Sequence, residues 1–283
     1  MNDPTAVIRN RSDTARWVAY YRAMETLRPD ALFRDPYAER LAGERGFQIA
    51  RTLVPGIEQD WAWVARTYQF DAFVSRLLAD GADMVVNLAA GLDARPYRME
   101  LPSTLQWVEV DLPEIMSHKA EILANEKPRR RLERVALDLS DVQRRRVLFS
   151  ALNARANRIA VLTEGLLIYL AAEDVAGLAR DFAFAPHFQG WIIDLSSTIQ
   201  TILMQRALGA HLSEANLAFK FGPPEGVDFF KPYGWAPKEI RGMLQIAADC
   251  KRAPEQFLTL LPDPNPIPPN FPWTGVCLLQ KQE

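Results

Sequence analysis

The stretch Met84-Val85-Val86-Asn87-Leu88-Ala89-Ala90-Gly91-Leu92-Asp93-Ala94-Arg95 decides the fold. A short apolar run closed by small residues reads as a buried strand entering a tight turn. Working outward, the same signature recurs at residues 105–110, closed by Asp111, and at residues 135–139. It returns at residues 158–163, which end at Glu164, at residues 190–195, and last at residues 275–279. Helical patterns fill the intervals at residues 113–125, 140–154 and 172–185, and continue at residues 196–220 and 237–248. Strand alternating with helix predicts an α/β fold, a doubly wound and mostly parallel sheet covered on both faces.

Upstream of the first strand the pattern is helical. Trp17, Val18, Tyr20, Tyr21, Met24 and Leu27 form an apolar stripe, with Ser12 or Asp13 as its expected cap. Such a stripe either covers a pocket or packs on the body. Asp35-Pro36 opens another short helix, and residues 56–78 carry a longer one. The proline-rich residues 261–269 read as a stiff loop feeding the final strand in preference to a polyproline ligand. With no repeat and no linker, residues 1–283 are expected to form one domain, with residues 1–80 and 196–235 as a helical cap over the site.

Composition narrows the function. Hydrophobic residues make up 48% and charged residues 24% of 283, an ordinary globular balance. A net charge of −2 disfavours a protein that binds chiefly by neutralising phosphates, so the basic runs at residues 127–134 and 144–146 read as solvated surface and no nucleic-acid partner is expected. No signal-peptide core or membrane-length apolar run is present, and Cys250 and Cys277 are too few for a disulfide framework, so a cytoplasmic protein is expected. His118, His187 and His211 are scattered, and no metal site is expected.

Ligands of a doubly wound sheet bind beyond the carboxyl ends of its strands. Here successive ends carry Gly91, Asp111, Asp138-Leu139 and Glu164. Acidic ends suit phosphate poorly, and the G-x-G-x-x-G turn of dinucleotide sites is absent. A nucleoside without phosphates fits better. Asp111, twenty residues after Gly91, has the spacing of a carboxylate that accepts both ribose hydroxyls. Gly91 allows close backbone approach to a methionine moiety, while Asp138 and the Leu139 amide suit an adenine edge.

The first-strand segment, Val108-Glu109-Val110-Asp111-Leu112-Pro113-Glu114, Asp138-Leu139 and Thr163-Glu164-Gly165-Leu166-Leu167-Ile168-Tyr169-Leu170 together resemble the leucine carboxyl methyltransferase-like family of class I S-adenosylmethionine-dependent methyltransferases, in its bacterial O-methyltransferase branch. Thr14-Ala15-Arg16-Trp17, Asp35-Pro36-Tyr37-Ala38 and Arg66-Thr67 extend the resemblance over nearly the whole chain. The resemblance implies S-adenosylmethionine as cofactor. Arg66 would meet its methionine carboxylate, Gly91 its methionine moiety, Asp111 its ribose, and Asp138 with Leu139 its adenine. Glu164 would lie near the amino group or sulfonium, with Arg16 as a further basic contact. The family usually has Gly where Ala89 stands and Thr where Ala94 stands, and the Ala89 methyl is expected to narrow the cofactor turn.

The implied reaction is O-methylation of a carboxylate on a small molecule or peptide terminus. Such a nucleophile needs no base, and Arg95 or Arg98 is a candidate to orient it, although Arg95 reads equally well as structural. No catalytic residue is assigned. The alternatives are a hydroxyl acceptor in secondary metabolism, activated by Glu164 or a histidine of the cap, an NAD-dependent oxidoreductase, an RNA-directed methyltransferase, and a non-catalytic binding module.

Overall fold

The computed structural model describes residues 7–53, 60–261, 267–268 and 270–282. Seven strands make one sheet: β1 (Met84–Leu88), β2 (Gln106–Asp111), β3 (Arg131–Ala136), β4 (Ile159–Thr163), β5 (Phe188–Ser196), β6 (Trp235–Gly242) and β7 (Thr274–Lys281). Their spatial order is β3-β2-β1-β4-β5-β7-β6. β7 runs antiparallel to both its neighbours, and the other pairs are parallel. β1 pairs with β2 on one side and β4 on the other, so the winding reverses there and opens the crevice where such sheets take ligands.

Side chains alternate across the strands, and each face finds its own cover. Val86, Val108, Val161, Trp191 and Ile193 pack with Phe149 and Leu152 of α6 (Val142–Asn153) and with Leu178 and Phe182 of α7 (Ala172–Phe184). Val85, Trp107, Leu162 and Ile192 pack with Phe70, Phe73, Val74 and Leu77 of α3 (Asp60–Ala79) and with Met243 and Ile246 of α9 (Met243–Asp249). Burial on both faces explains why β1 reads as an unbroken apolar run.

Three expectations need correction. The third strand is residues 131–136, earlier than the expected 135–139, and residues 235–242 form a strand where a helix was expected from 237. Both are edge strands, and edges carry charge and proline without penalty. β3 has Arg131, Glu133 and Arg134, while Pro237 of β6 sits at a register shift. The cap of α1 (Arg11–Leu27) is Asn10, whose side chain accepts from the Asp13 amide at 3.1 Å, while Asp13 pairs with Arg45 at 2.9 Å. The start of the expected helix at 56 and most of the proline-rich stretch lie outside the described residues.

The basic runs have structural partners. Arg145 and Arg146 both bind Asp181, Arg129 and Arg130 donate to the Tyr97 and Leu101 carbonyls, and Arg134 pairs with Glu109. Among the described residues no helix is long and apolar enough to cross a membrane.

Candidate functional site

The turn after β1 is held in a left-handed backbone. Ala89 has φ 51° and Gly91 φ 50°. Gly91 has a second constraint, because a Cβ there would come to 3.3 Å from Ala15 of α1. Asp93 locks the turn: its carboxylate accepts from Asn87 Nδ2 at 2.7 Å, the Arg95 amide at 2.9 Å and Arg95 Nη1 at 3.0 Å. Burial pushes the Asp93 carboxyl up, but the charges of Arg95, Lys119, Arg98 and Arg22 outweigh it and hold the pKa at about 2.

Asp111 ends β2 beside this turn. One oxygen accepts from the Gly91 amide and the other from the Leu112 amide, each at 2.7 Å. Burial nevertheless pushes its carboxyl above the ordinary value. Each oxygen keeps a further lone pair, so the carboxylate can take two more donors. Asp138 lies in the loop after β3 and is exposed. It accepts from the Ser140 amide at 2.9 Å, and the Ser140 contacts lower its pKa.

On the other side of the turn, charges interlock. The Arg66 guanidinium lies 4.7 Å from the Trp63 ring and pairs with Glu164 and Asp194, each at 3.1 Å. Asp194, near the end of β5, also accepts from the Gly165 amide at 2.7 Å, and burial raises its pKa against the pull of Arg66. Glu164 reaches Arg95 at 2.8 Å with its second oxygen. Arg95 in turn binds Asp71 of α3 at 2.6 Å, and Arg98 binds both oxygens of Asp71. Tyr169 is half-buried near Arg66 and Asp194, and its partial removal from water raises its phenol to about 12.

Arg66, Gly91, Asp111, Asp138, Leu139 and Glu164 all line one cavity of about 960 Å³. Arg16 and Arg98 do not line it: the Arg16 guanidinium lies beside Gly43, and Arg98 is held by Asp71. Arg95 touches the cavity but is only 2% exposed, fixed among three carboxylates, so it is a structural residue and cannot swing to an acceptor. The aromatic stripe of α1 divides its work. Thr14, Ala15, Val18 and Arg22 face the cavity, while Trp17, which also lines it, packs edge-on against Trp63 at 5.2 Å.

Among the cavity residues that the sequence reading did not single out are Asp194 and Lys220. Asp194 ends the run Trp191-Ile192-Ile193 as Asp111 ends Trp107-Val108-Glu109-Val110, so the strand-end rule was sufficient to find it. Lys220 has no comparable signal. It follows α8 (Thr198–Ser213), and only the fold brings it to the cavity, through its amide bond to the Ile168 carbonyl at 2.7 Å.

The leucine carboxyl methyltransferase family model matches residues 15–183, which contain the β1 turn and all six expected residues. A Frankia alni protein, provisionally named an S-adenosyl-L-methionine-dependent methyltransferase, is 30% identical over 276 residues, covering 91% of each chain. A Rhodococcus jostii protein with the same provisional name is 40% identical over 136 residues, 45% of this chain and 46% of its own. The fold matches a Thermobifida fusca structure, titled as a methyltransferase, with a TM-score of 0.64 at 13% identity, covering 99% of this chain and 97% of that one. A DUF574 family protein from Streptomyces avermitilis matches with a TM-score of 0.59 at 15% identity, covering 95% and 97%. The strand order, the turn after β1 and the span of the family match agree, and the chain belongs to the leucine carboxyl methyltransferase family.

Proposed function

We propose that the protein is an S-adenosylmethionine-dependent methyltransferase whose acceptor is a carboxylate, borne by a small molecule or a peptide terminus. The observation that carries the first part is the convergence of Gly91, Asp111, Asp138, Leu139, Arg66 and Glu164 on one cavity at the switch point.

The donor set fits the cofactor. Asp111 offers acceptors for ribose hydroxyls, and Asp138 for an adenine amino group. Gly91, which has room for backbone approach but not for a side chain, would pass the methionine moiety. Arg66 and the carboxylates of Glu164 and Asp194 would hold the zwitterionic end, a mixed set that suits an ammonium beside a carboxylate. The same acidic wall repels the pyrophosphate of NAD. When bound, S-adenosylmethionine supplies an electrophilic methyl group on a sulfonium whose leaving thioether needs no acid.

A carboxylate acceptor is favoured by what the cavity lacks. Among the described residues that line it there is no histidine. Glu164 is held by two guanidiniums, and Tyr169 stays protonated far above neutrality. A hydroxyl acceptor would have only weakly basic carboxylates such as Asp174 and Asp194 to take its proton, whereas a carboxylate is already ionised. Its oxygen would accept the methyl group with no proton to release. Lys220, exposed at the cavity, replaces Arg95 and Arg98 as the candidate to orient it, because none of the carboxylates that fix those two arginines holds it. A reducing cytoplasm suits a chain whose two cysteines are free.

Calorimetric titration tests the cofactor: S-adenosylhomocysteine binds and NAD does not, and the reverse result would remove the methyltransferase reading. The acceptor is tested on the product of a labelled turnover. An ester is released by mild alkali, and its rate of formation stays flat from about pH 6 to 9, because no base must lose a proton in that window. An alkali-stable product, or a rate climbing through neutrality, would identify a hydroxyl acceptor instead.

A further inference from the structure

The cavity is large for one ligand. About 960 Å³ lies near the top of the roughly 300–1,000 Å³ range of small-molecule sites, and its two ends differ in chemistry. The charged residues described above crowd the carboxyl ends of β1, β4 and β5. Another part of the wall is built by α8. Gln200, Leu203, Met204, Ala207 and Leu208 line the cavity from this helix, at the i, i+3, i+4, i+7, i+8 spacing of a single face.

That face is apolar but incompletely covered. Met204 and Leu208 are half-buried against Trp17, Leu217 and Phe219, whereas Leu203 remains 41% exposed. Apolar residues lie on more than one side of α8, and Ile202, which does not line the cavity, is as exposed as Leu203. What sets the side with Leu203, Met204, Ala207 and Leu208 apart is that it faces a cavity that also has Trp17 and Trp63 on its wall. Apolar surface left open inside a binding cavity marks the place of an apolar ligand.

Resting on the methyltransferase reading, we infer that the acceptor is a small molecule with a bulky apolar body, an acyl chain or ring system, and that α8 is the specificity-determining wall against which this body lies. A small polar acid would leave Leu203 and Met204 facing water. A peptide terminus would bring backbone amides to a wall on which Gln200 alone, among the α8 residues named, offers hydrogen bonds. The apolar body also excludes water from the reacting carboxylate, whose oxygen is a stronger nucleophile when less hydrated.

The test is a calorimetric series of straight-chain acids, acetate, butyrate, hexanoate and octanoate, on protein saturated with S-adenosylhomocysteine. Affinity rises by about fourfold for each methylene buried. Leu203→Asp flattens this dependence while leaving S-adenosylhomocysteine affinity and the melting temperature of the free protein unchanged, because Leu203 is already half in solvent. Leu203→Ser, a milder change, moves it the same way. Affinity independent of chain length, or a dependence equally steep in both variants, would overturn the assignment. Should S-adenosylhomocysteine itself fail to bind, the cofactor reading fails, and the same acid series on the free protein still reports on the α8 wall.

Discussion

Ala89 occupies a backbone conformation that glycine takes freely and alanine does not. The left-handed conformation costs an L-residue about 1–2 kcal/mol, and glycine returns about 0.5–1 of that as unfolded-chain entropy. Ala89→Gly therefore stabilises the free protein by about 0.5–1 kcal/mol, a rise of about 1–3 °C in melting temperature. Because Ala89 lines the cavity and glycine is smaller, S-adenosylhomocysteine should bind the variant at least as tightly. A lower melting temperature would mean that the methyl packs better than its backbone angle costs. The sequence located this position as a departure from the family pattern and attributed it to width. The backbone angle adds strain as a second cost, which no residue-type argument could supply. Similarly, Arg95 was legible as a charge near the turn, but its fixation depended on Asp71, 24 positions earlier on another helix.

α5 (Pro113–Ile122) is tied to β2 by a fully buried ion pair, Lys119 to Glu109 at 2.7 Å. The second Glu109 oxygen meets Arg134 of β3 at 3.1 Å, so one carboxylate joins a helix to two strands. Lys119→Met leaves that carboxylate buried with one partner, and removing one member of such a pair costs about 3 kcal/mol or more. Urea unfolding should show this loss, and Lys119→Met with Glu109→Leu should recover most of it. A single variant within about 0.5 kcal/mol of the parent would show that Arg134 alone neutralises Glu109.

At the same scale, legibility followed burial. Every strand with two covered faces was readable from its apolar run. The two that were missed or displaced, β3 and β6, are the two edges, where Arg131-Leu132-Glu133-Arg134 and Pro237-Lys238-Glu239 obey different rules.

Across the whole molecule, the cavity joins elements far apart in sequence: α1, the β1 turn, the ends of β2, β4 and β5, and α8 with Lys220. The strand-end residues proposed for the cofactor could be named because strand ends are local signals, each readable from a few consecutive residues. The wall proposed for the acceptor could not be resolved to residues, because it is assembled from helix faces whose neighbours only the fold decides. The aromatic stripe of α1 shows why, since the same periodicity serves both the cavity wall and the packing behind it.

The position of β7 has a consequence for how the chain acquires its shape. β7 follows β6 in sequence yet lies between β5 and β6. Until residues 274–281 leave the ribosome, the edge of β5, with Trp191, Ile192 and Ile193, stays unpaired, and β6 has no strand beside it. Synthesis thus passes through a state with an open, sticky edge that an extended segment of any other chain could occupy. A nascent chain arrested after residue 260 and probed by brief proteolysis should be cut readily within residues 188–242, and a chain arrested well beyond residue 281 should resist. Equal resistance in both would mean that β5 and β6 are protected without β7 between them.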